Sequence, residues 1–268
     1  MFTSLLRLET PSSLIRLGFR FGDKGTHSSR TMMFSELQSL LDFVPGDVAR
    51  EDYEQAVLEA NCLGKQTLST RKLSLQRLSE LYALDPSVPL FRVMRSLWKS
   101  NPDSQQQLAL LAALCRDPLL RLTAAPVLQT PAGKEFARQE MTDALEAGTG
   151  GRFNDSTLDK IVRNASSTWT QAGHLQGRAR KFRQLVRATP ASSAYALLLG
   201  YLQGVRGQNL LACDWVKVLD LDELEARERA DDAKRLGLLD IKQSGSLIDI
   251  SFPKLLTEAD KELLHGAD

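Results

Sequence analysis

The chain has 268 residues, 43% of them hydrophobic and 25% charged, with a formal net charge of +1. That composition suits an ordinary globular protein of one large or two small domains. No apolar run reaches the 18 residues that a membrane-spanning helix needs, so no membrane partner is expected. Three scattered cysteines, Cys62, Cys115 and Cys213, argue against a disulfide framework or a structural zinc site and suit a reducing cytoplasm. Each lies among apolar neighbours and reads as a small hydrophobe.

In chain order, residues 1–32 come first and stand apart. They hold Arg7, Arg16, Arg20, Lys24 and Arg30 against Glu9 and Asp23, with many Ser and Thr. A transit-peptide composition is one reading. The preferred one is an extension from an over-long reading frame, because Met32 and Met33 precede the first well-patterned helix. Residues 1–32 are therefore expected to add nothing to the core, and a chain starting at Met33 to keep its thermal stability.

Residues 33–150 read as an N-terminal helical domain. Helices are predicted over 51–63, whose acidic start suits a helix N-terminus, and over 69–84, ended by Asp85–Pro86. Leu90, Val93, Met94, Leu97 and Trp98 follow helical spacing. Asn101–Pro102 caps the next helix, 104–116, which Asp117–Pro118 stops. A further helix is predicted over 131–147. Gly148, Gly150 and Gly151 then mark a flexible boundary; they lack the lysine and spacing of a phosphate-binding loop.

Residues 151–268 read as a C-terminal helical domain with two helix-plus-hairpin units. In the first, Ser156 caps a helix to about Gln171, Gly173 ends it, and strands at 174–176 and 182–188 flank a basic run. Pro190 closes this unit, and Ser192 or Ser193 opens a helix through Tyr201. In the second, an amphipathic helix over 221–236 ends at Gly237, and strands at 238–242 and 247–252 turn at Ser244–Gly245. Ile248, Ile250 and Phe252 share one face of the last strand. Thr257 caps a final short helix. The predicted fold is thus mainly α: a helical bundle followed by winged-helix-like units with small β-hairpins.

The net charge hides strong segregation. Residues 61–100 hold seven bases and two acids, and residues 151–190 hold eight bases and two acids. Residues 221–268 hold seven bases and twelve acids. The densest cluster is Arg178, Arg180, Lys181 and Arg183, with Arg187 following. A basic hairpin tip beside a basic helix suits a phosphate backbone, since neutralised phosphates release counterions and guanidinium groups engage phosphate in bidentate fashion. The expected DNA-binding residues are Arg178, Arg180, Lys181, Arg183, Arg187, Arg163, Lys160 and Ser156, with Arg71 and Lys72 on a second basic face. Asn164, Ser166, Ser167 and Thr168 stand near enough in sequence to add contacts. Internal ion pairing and plain solvation are the alternatives for the cluster.

No catalytic or metal site emerges. The three histidines, His27, His174 and His265, are isolated in sequence, and His174 reads as a strand or DNA-contacting residue. No HExxH, GxSxG or Cys-Xaa-Xaa-Cys pattern occurs. Asp240-Ile241-Lys242 resembles the tail of a nuclease motif without identifiable partner carboxylates. The expectation is a protein that is not an enzyme and carries no cofactor and no metal.

The segments NCLGKQTLSTRKLSLQRLSEL (61–81) and RNASSTWTQAGHLQGRARKFRQL (163–185), with the helical middle between them, resemble the BrxA family, small accessory proteins of BREX phage-defence systems. The resemblance spans roughly residues 45–252. It implies a helical, non-enzymatic protein that binds double-stranded DNA and works beside other BREX proteins. A winged-helix transcriptional regulator and a protein–protein adaptor are the competing readings of the same features.

Overall fold

The apolar periodicity of residues 50–130 becomes a series of short helices broken at proline and at small polar residues. The computed structural model describes Leu6 and residues 12–46, 48–245 and 247–265. Its helices are α1 (Ser12–Leu17), α2 (Phe34–Phe43), α3 (Arg50–Leu58), α4 (Leu68–Tyr82), α5 (Pro89–Trp98), α6 (Gln105–Arg116), α7 (Pro118–Leu122), α8 (Ala124–Gln129), α9 (Arg138–Thr149) and α10 (Asp155–Gln171). After the hairpin of β1 (Leu175–Gln176) and β2 (Phe182–Arg183) come α11 (Pro190–Leu202), α12 (Asp214–Lys217) and α13 (Glu223–Arg235). The hairpin of β3 (Asp240–Ser244) and β4 (Leu247–Ser251) precedes α14 (Glu258–His265). The protein is mainly helical with two small antiparallel hairpins. Among the described residues no helix is long and apolar enough to cross a membrane.

Two helices are apolar on nearly every side and therefore lie at the centre. Residues 108–115 of α6 are all buried, as are residues 191–200 of α11. They pack on each other, with α4, α5 and α10 around α6 and with α12 and α13 beside α11. Thr189 caps α11 by accepting from the Ser192 amide at 3.1 Å, and Pro190 occupies the first turn, where its missing N–H costs nothing. Gly150 and Gly151, at φ of 62° and 68°, turn the chain where the domain boundary was expected. α10 packs back on α9 across that turn, and one buried apolar cluster runs from Leu6 to Leu256.

The N-terminal expectation is corrected where it is described. Leu14, Leu17, Phe19 and Met32 are buried, and Phe19 meets Trp215 edge-on at 6.3 Å. His27 is fully buried: its Nδ1 lies 2.7 Å from Asp117 Oδ2 and its Nε2 lies 2.7 Å from Thr168 Oγ1. The Met32 amide donates to the same Thr168 hydroxyl at 2.8 Å, so that hydroxyl accepts there and its own proton is available to His27 Nε2. The chain passes so near Asp117 that a Cβ on Gly25 would sit 2.1 Å from Oδ1. Burial disfavours the Asp117 carboxylate, but His27 and the Leu120 amide outweigh this and hold its pKa below the ordinary value. The segment shows no amphipathic period because irregular backbone and polar anchors seat it, apart from the short α1. Residues 1–5 and 7–11 of the expected extension lie outside the described residues.

Two further expectations change. The helix predicted over 131–147 starts at Arg138. Residues before it run alongside β2 instead: the Gly133 amide donates to the Arg183 carbonyl at 2.8 Å, the Arg183 amide to the Lys134 carbonyl at 2.9 Å, and Glu135 bridges Phe182. The strand predicted over 182–188 covers only Phe182–Arg183, because the chain beyond turns inward, where the Val186 amide donates to Asp220 Oδ2 at 2.9 Å. The second unit follows its pattern. Asp240 pairs with Ser251 and Ser244 with Leu247, burying Ile250 and Phe252 on the expected face.

Candidate nucleic-acid interface

Helix α10 supplies one wall. Ser156, Lys160, Arg163 and Ser167 recur at helical spacing on one side, and the first three are exposed. The opposite side buries Leu158, Ile161, Val162, Ala165 and Trp169. Asn154, rather than Ser156, caps the helix, its Oδ1 accepting from the Thr157 amide at 2.9 Å. Ser156 therefore keeps a free outward position in the first turn.

The β1–β2 hairpin supplies the other wall. Its connection turns at Gly177, φ 116°, where a Cβ would lie 2.1 Å from the Arg180 carbonyl oxygen, so only glycine fits. This turn projects Arg178 and Arg180 into solvent. Arg138, Arg163, Arg178, Arg180 and Lys181 line a groove of about 780 Å³ between the hairpin, α10 and the start of α9.

Five bases meet two acids there. Arg180 donates to Glu135 from both Nε, at 2.8 Å, and Nη2. The hydrogen bond from Arg180 holds the Glu135 carboxyl below its ordinary pKa. Asp159 bridges Arg138 and Arg163, the latter at 2.9 Å. Lys181 Nζ donates to Thr170 Oγ1 at 2.8 Å and to the Gly177 carbonyl at 3.2 Å, and partial burial lowers its pKa. Arg178 has no ion pair or hydrogen bond from its side chain among the described residues. The pairs on Arg180 and Arg163 are exposed and weak; they orient the guanidinium groups without removing them from reach.

The basic run does not act as one patch. Arg183 turns inward and is only 1% exposed. Its guanidinium holds the Asp220 carboxylate, with Nη1 3.2 Å from Oδ2, and its Nε donates to the Val127 carbonyl at 3.0 Å. Adjacent strand residues point to opposite faces, so Phe182 stays part-exposed while Arg183 is buried. Its expected phosphate role is corrected to one of anchoring the hairpin. His174 is likewise buried, with Nε2 2.7 Å from the Val218 carbonyl oxygen. Burial pushes its pKa down to about 4, and it touches no surface. Ser166 and Thr168 are buried, and Asn164 donates to the His27 carbonyl at 2.9 Å. The expectation that Thr168 contacts DNA is corrected for the same reason; the half-buried Asn164 is committed to that carbonyl, while Ser166 and Ser167 stand in the groove lining.

The remaining expected residues fall elsewhere. Arg187 and Lys160 are exposed outside the groove lining. Arg71 is half-buried, and its guanidinium donates to the carbonyls of Leu58 at 3.0 Å and Lys65 at 3.3 Å, tying the α3–α4 connection to α4. Lys72 is exposed on a different surface, beside Arg20, Arg50 and Arg116. Arg138 was missed in the sequence because the stretch before it read as helix; the glycine at 133 was the available signal. Among the described residues no cluster of His, Cys, Asp and Glu is arranged to hold a metal ion. The chain matches no protein-family model and no curated protein.

Proposed function

We propose that the protein is a non-enzymatic, double-stranded DNA-binding accessory factor, with α10 and the β1–β2 hairpin acting as helix and wing. The convergence of Arg138, Arg163, Arg178, Arg180 and Lys181 on one groove carries the reading. A backbone phosphate entering the groove exchanges the exposed Glu135 and Asp159 carboxylates for its own oxygens and releases counterions. No Asn or Gln lines the groove among the described residues, which favours phosphate contacts over base readout. The resemblance to BrxA supplies the setting: an anti-phage BREX system with other BREX proteins as partners.

The test is duplex binding followed by fluorescence anisotropy over a salt series. Arg163, Arg178 and Arg180 are replaced together by alanine; Arg183 is kept because the hairpin depends on it. Loss of affinity for every duplex sequence alike is expected, with the log–log salt slope reduced by about one unit per lost phosphate contact. Unchanged affinity and slope, with the fold intact by circular dichroism, overturns the reading and favours a protein–protein adaptor.

A further inference from the structure

The N-terminal segment builds a second basic groove, which shares no lining residue with the first. It measures about 460 Å³ and lies between residues 20–28, α4 and the Arg152–Phe153 pair that precedes α10. Arg20, Lys24, Arg77 and Arg152 line it, with Asp23 and Glu80 as its acids.

Both acids are already committed. Glu80 accepts from Arg77 at 2.7 Å, Thr26 at 2.9 Å and Gln76 at 3.0 Å. Partial burial opposes its charge, yet these bonds hold its carboxyl below the ordinary pKa. Asp23 takes Arg152, whose guanidinium is also stacked over the Phe153 ring at 4.5 Å and so held in place.

The cations are less satisfied. Arg20 donates to the Glu80 backbone carbonyl at 3.1 Å and to no carboxylate among the described residues. Arg116, beside it, likewise donates only to the carbonyls of Gly18, Ser79 and Glu80. Burial, and then the neighbouring Arg20, push its pKa down to about 10. Arg77 Nε is buried without a partner, and Lys24 is exposed with none among the described residues. Arg20, held by a carbonyl, keeps its full charge and presents a fixed fork, and with the unpaired Lys24 it supplies the positive charge that a phosphate would meet beside the ion-paired Arg77 and Arg152.

We propose that Arg20, Lys24, Arg77 and Arg152 form a phosphate-binding site. It stands independently of the wing reading. The phosphate comes from one of two sources, a free nucleotide or a nucleic-acid backbone. A backbone phosphate here would make the protein grip a duplex at two places.

The test uses the full chain and a Lys24→Ala/Arg152→Ala variant, whose side chains lie at the groove edge, with an unshifted melting temperature as the check on folding. Thermal shift with ADP and with inorganic pyrophosphate probes the free-ligand source; anisotropy with a labelled duplex over a salt series probes the backbone source. A stabilisation by ADP or pyrophosphate that disappears in the variant assigns a nucleotide site. A roughly tenfold loss of duplex affinity, with the salt slope down by about two units, assigns a backbone site. Neither small ligand stabilising the wild-type chain, together with unaltered duplex binding by the variant, overturns the proposal. An effect here with none from the wing variants sinks the wing reading alone.

Discussion

Residues 12–32 and residues 174–187 look alike in sequence: both are rich in arginine and neither keeps an amphipathic period. Each carries a polar side chain that reaches an acid far along the chain. His27 meets Asp117 and Arg183 meets Asp220. The two acids differ in what else they hold. Asp117 Oδ1 also accepts the amides of Leu119 and Leu120, at 3.0 and 3.1 Å, as the cap of α7. Asp220 holds only the Val186 amide besides Arg183 among the described residues, and sits at a left-handed φ of 57°. A buried carboxylate with alternative donors survives the loss of a partner better than one without. The hairpin thus has one buried charge pair, Arg183 with Asp220, beside its backbone pairing to residues 133–136, whereas the N-terminal segment is held by a distributed set of apolar and polar contacts.

The largest expected effect comes from removing the distributed set whole. A chain starting at Met33 loses the buried side chains of Leu14, Leu17, Phe19 and Met32, each contributing about 1.5–3 kcal/mol. Together with the His27 anchor, this rivals the roughly 5–15 kcal/mol that stabilises a typical domain. Such a chain is expected to show no cooperative urea transition by circular dichroism. A melting temperature equal to that of the full chain breaks the comparison at its base.

Single substitutions then separate the two anchors. Arg183→Ala strands a buried carboxylate and is expected to cost about 3–5 kcal/mol. His27→Ala leaves Asp117 three amides, those of Leu119, Leu120 and residue 27 itself, and is expected to cost about 2 kcal/mol. Equilibrium urea unfolding measures both. Replacing the pair together, Arg183→Met with Asp220→Asn, is expected to recover most of the loss, because the uncompensated charge is gone. Equal costs for the two alanine variants contradict the role assigned to alternative donors.

Acid sharpens the difference further. His174 has a pKa of about 4 in the fold against an ordinary 6.5, so the unfolded chain takes up a proton that the folded chain refuses. Its contribution is intact above pH 6.5 and falls by about 1.4 kcal/mol per pH unit towards pH 4, about 3 kcal/mol in all. Asp117, whose pKa is lowered, contributes above its ordinary value of 3.8 and loses that contribution only as pH falls further. Urea midpoints between pH 7 and pH 4 are expected to fall in the wild-type chain and to flatten in His174→Gln. An identical slope in both assigns the acid sensitivity to another group.

The sequence by itself determined what depends on near neighbours. Apolar spacing and proline breaks placed α4, α5 and α6, and the buried alternation of residues 247–252 placed the second hairpin, because helix and hairpin signals act over a few residues. It also located the positive charge. It did not tell Arg178 from Arg183, five residues apart, because the partner that draws Arg183 inward lies 37 residues further on. Nor did it show that residues 12–32 belong to the core, since His27 finds Asp117 across 90 residues and Thr168 across 141. Only the tertiary structure decided which charges face water, because a charge can be buried only where a remote partner and its hydrogen bonds offset the loss of solvent.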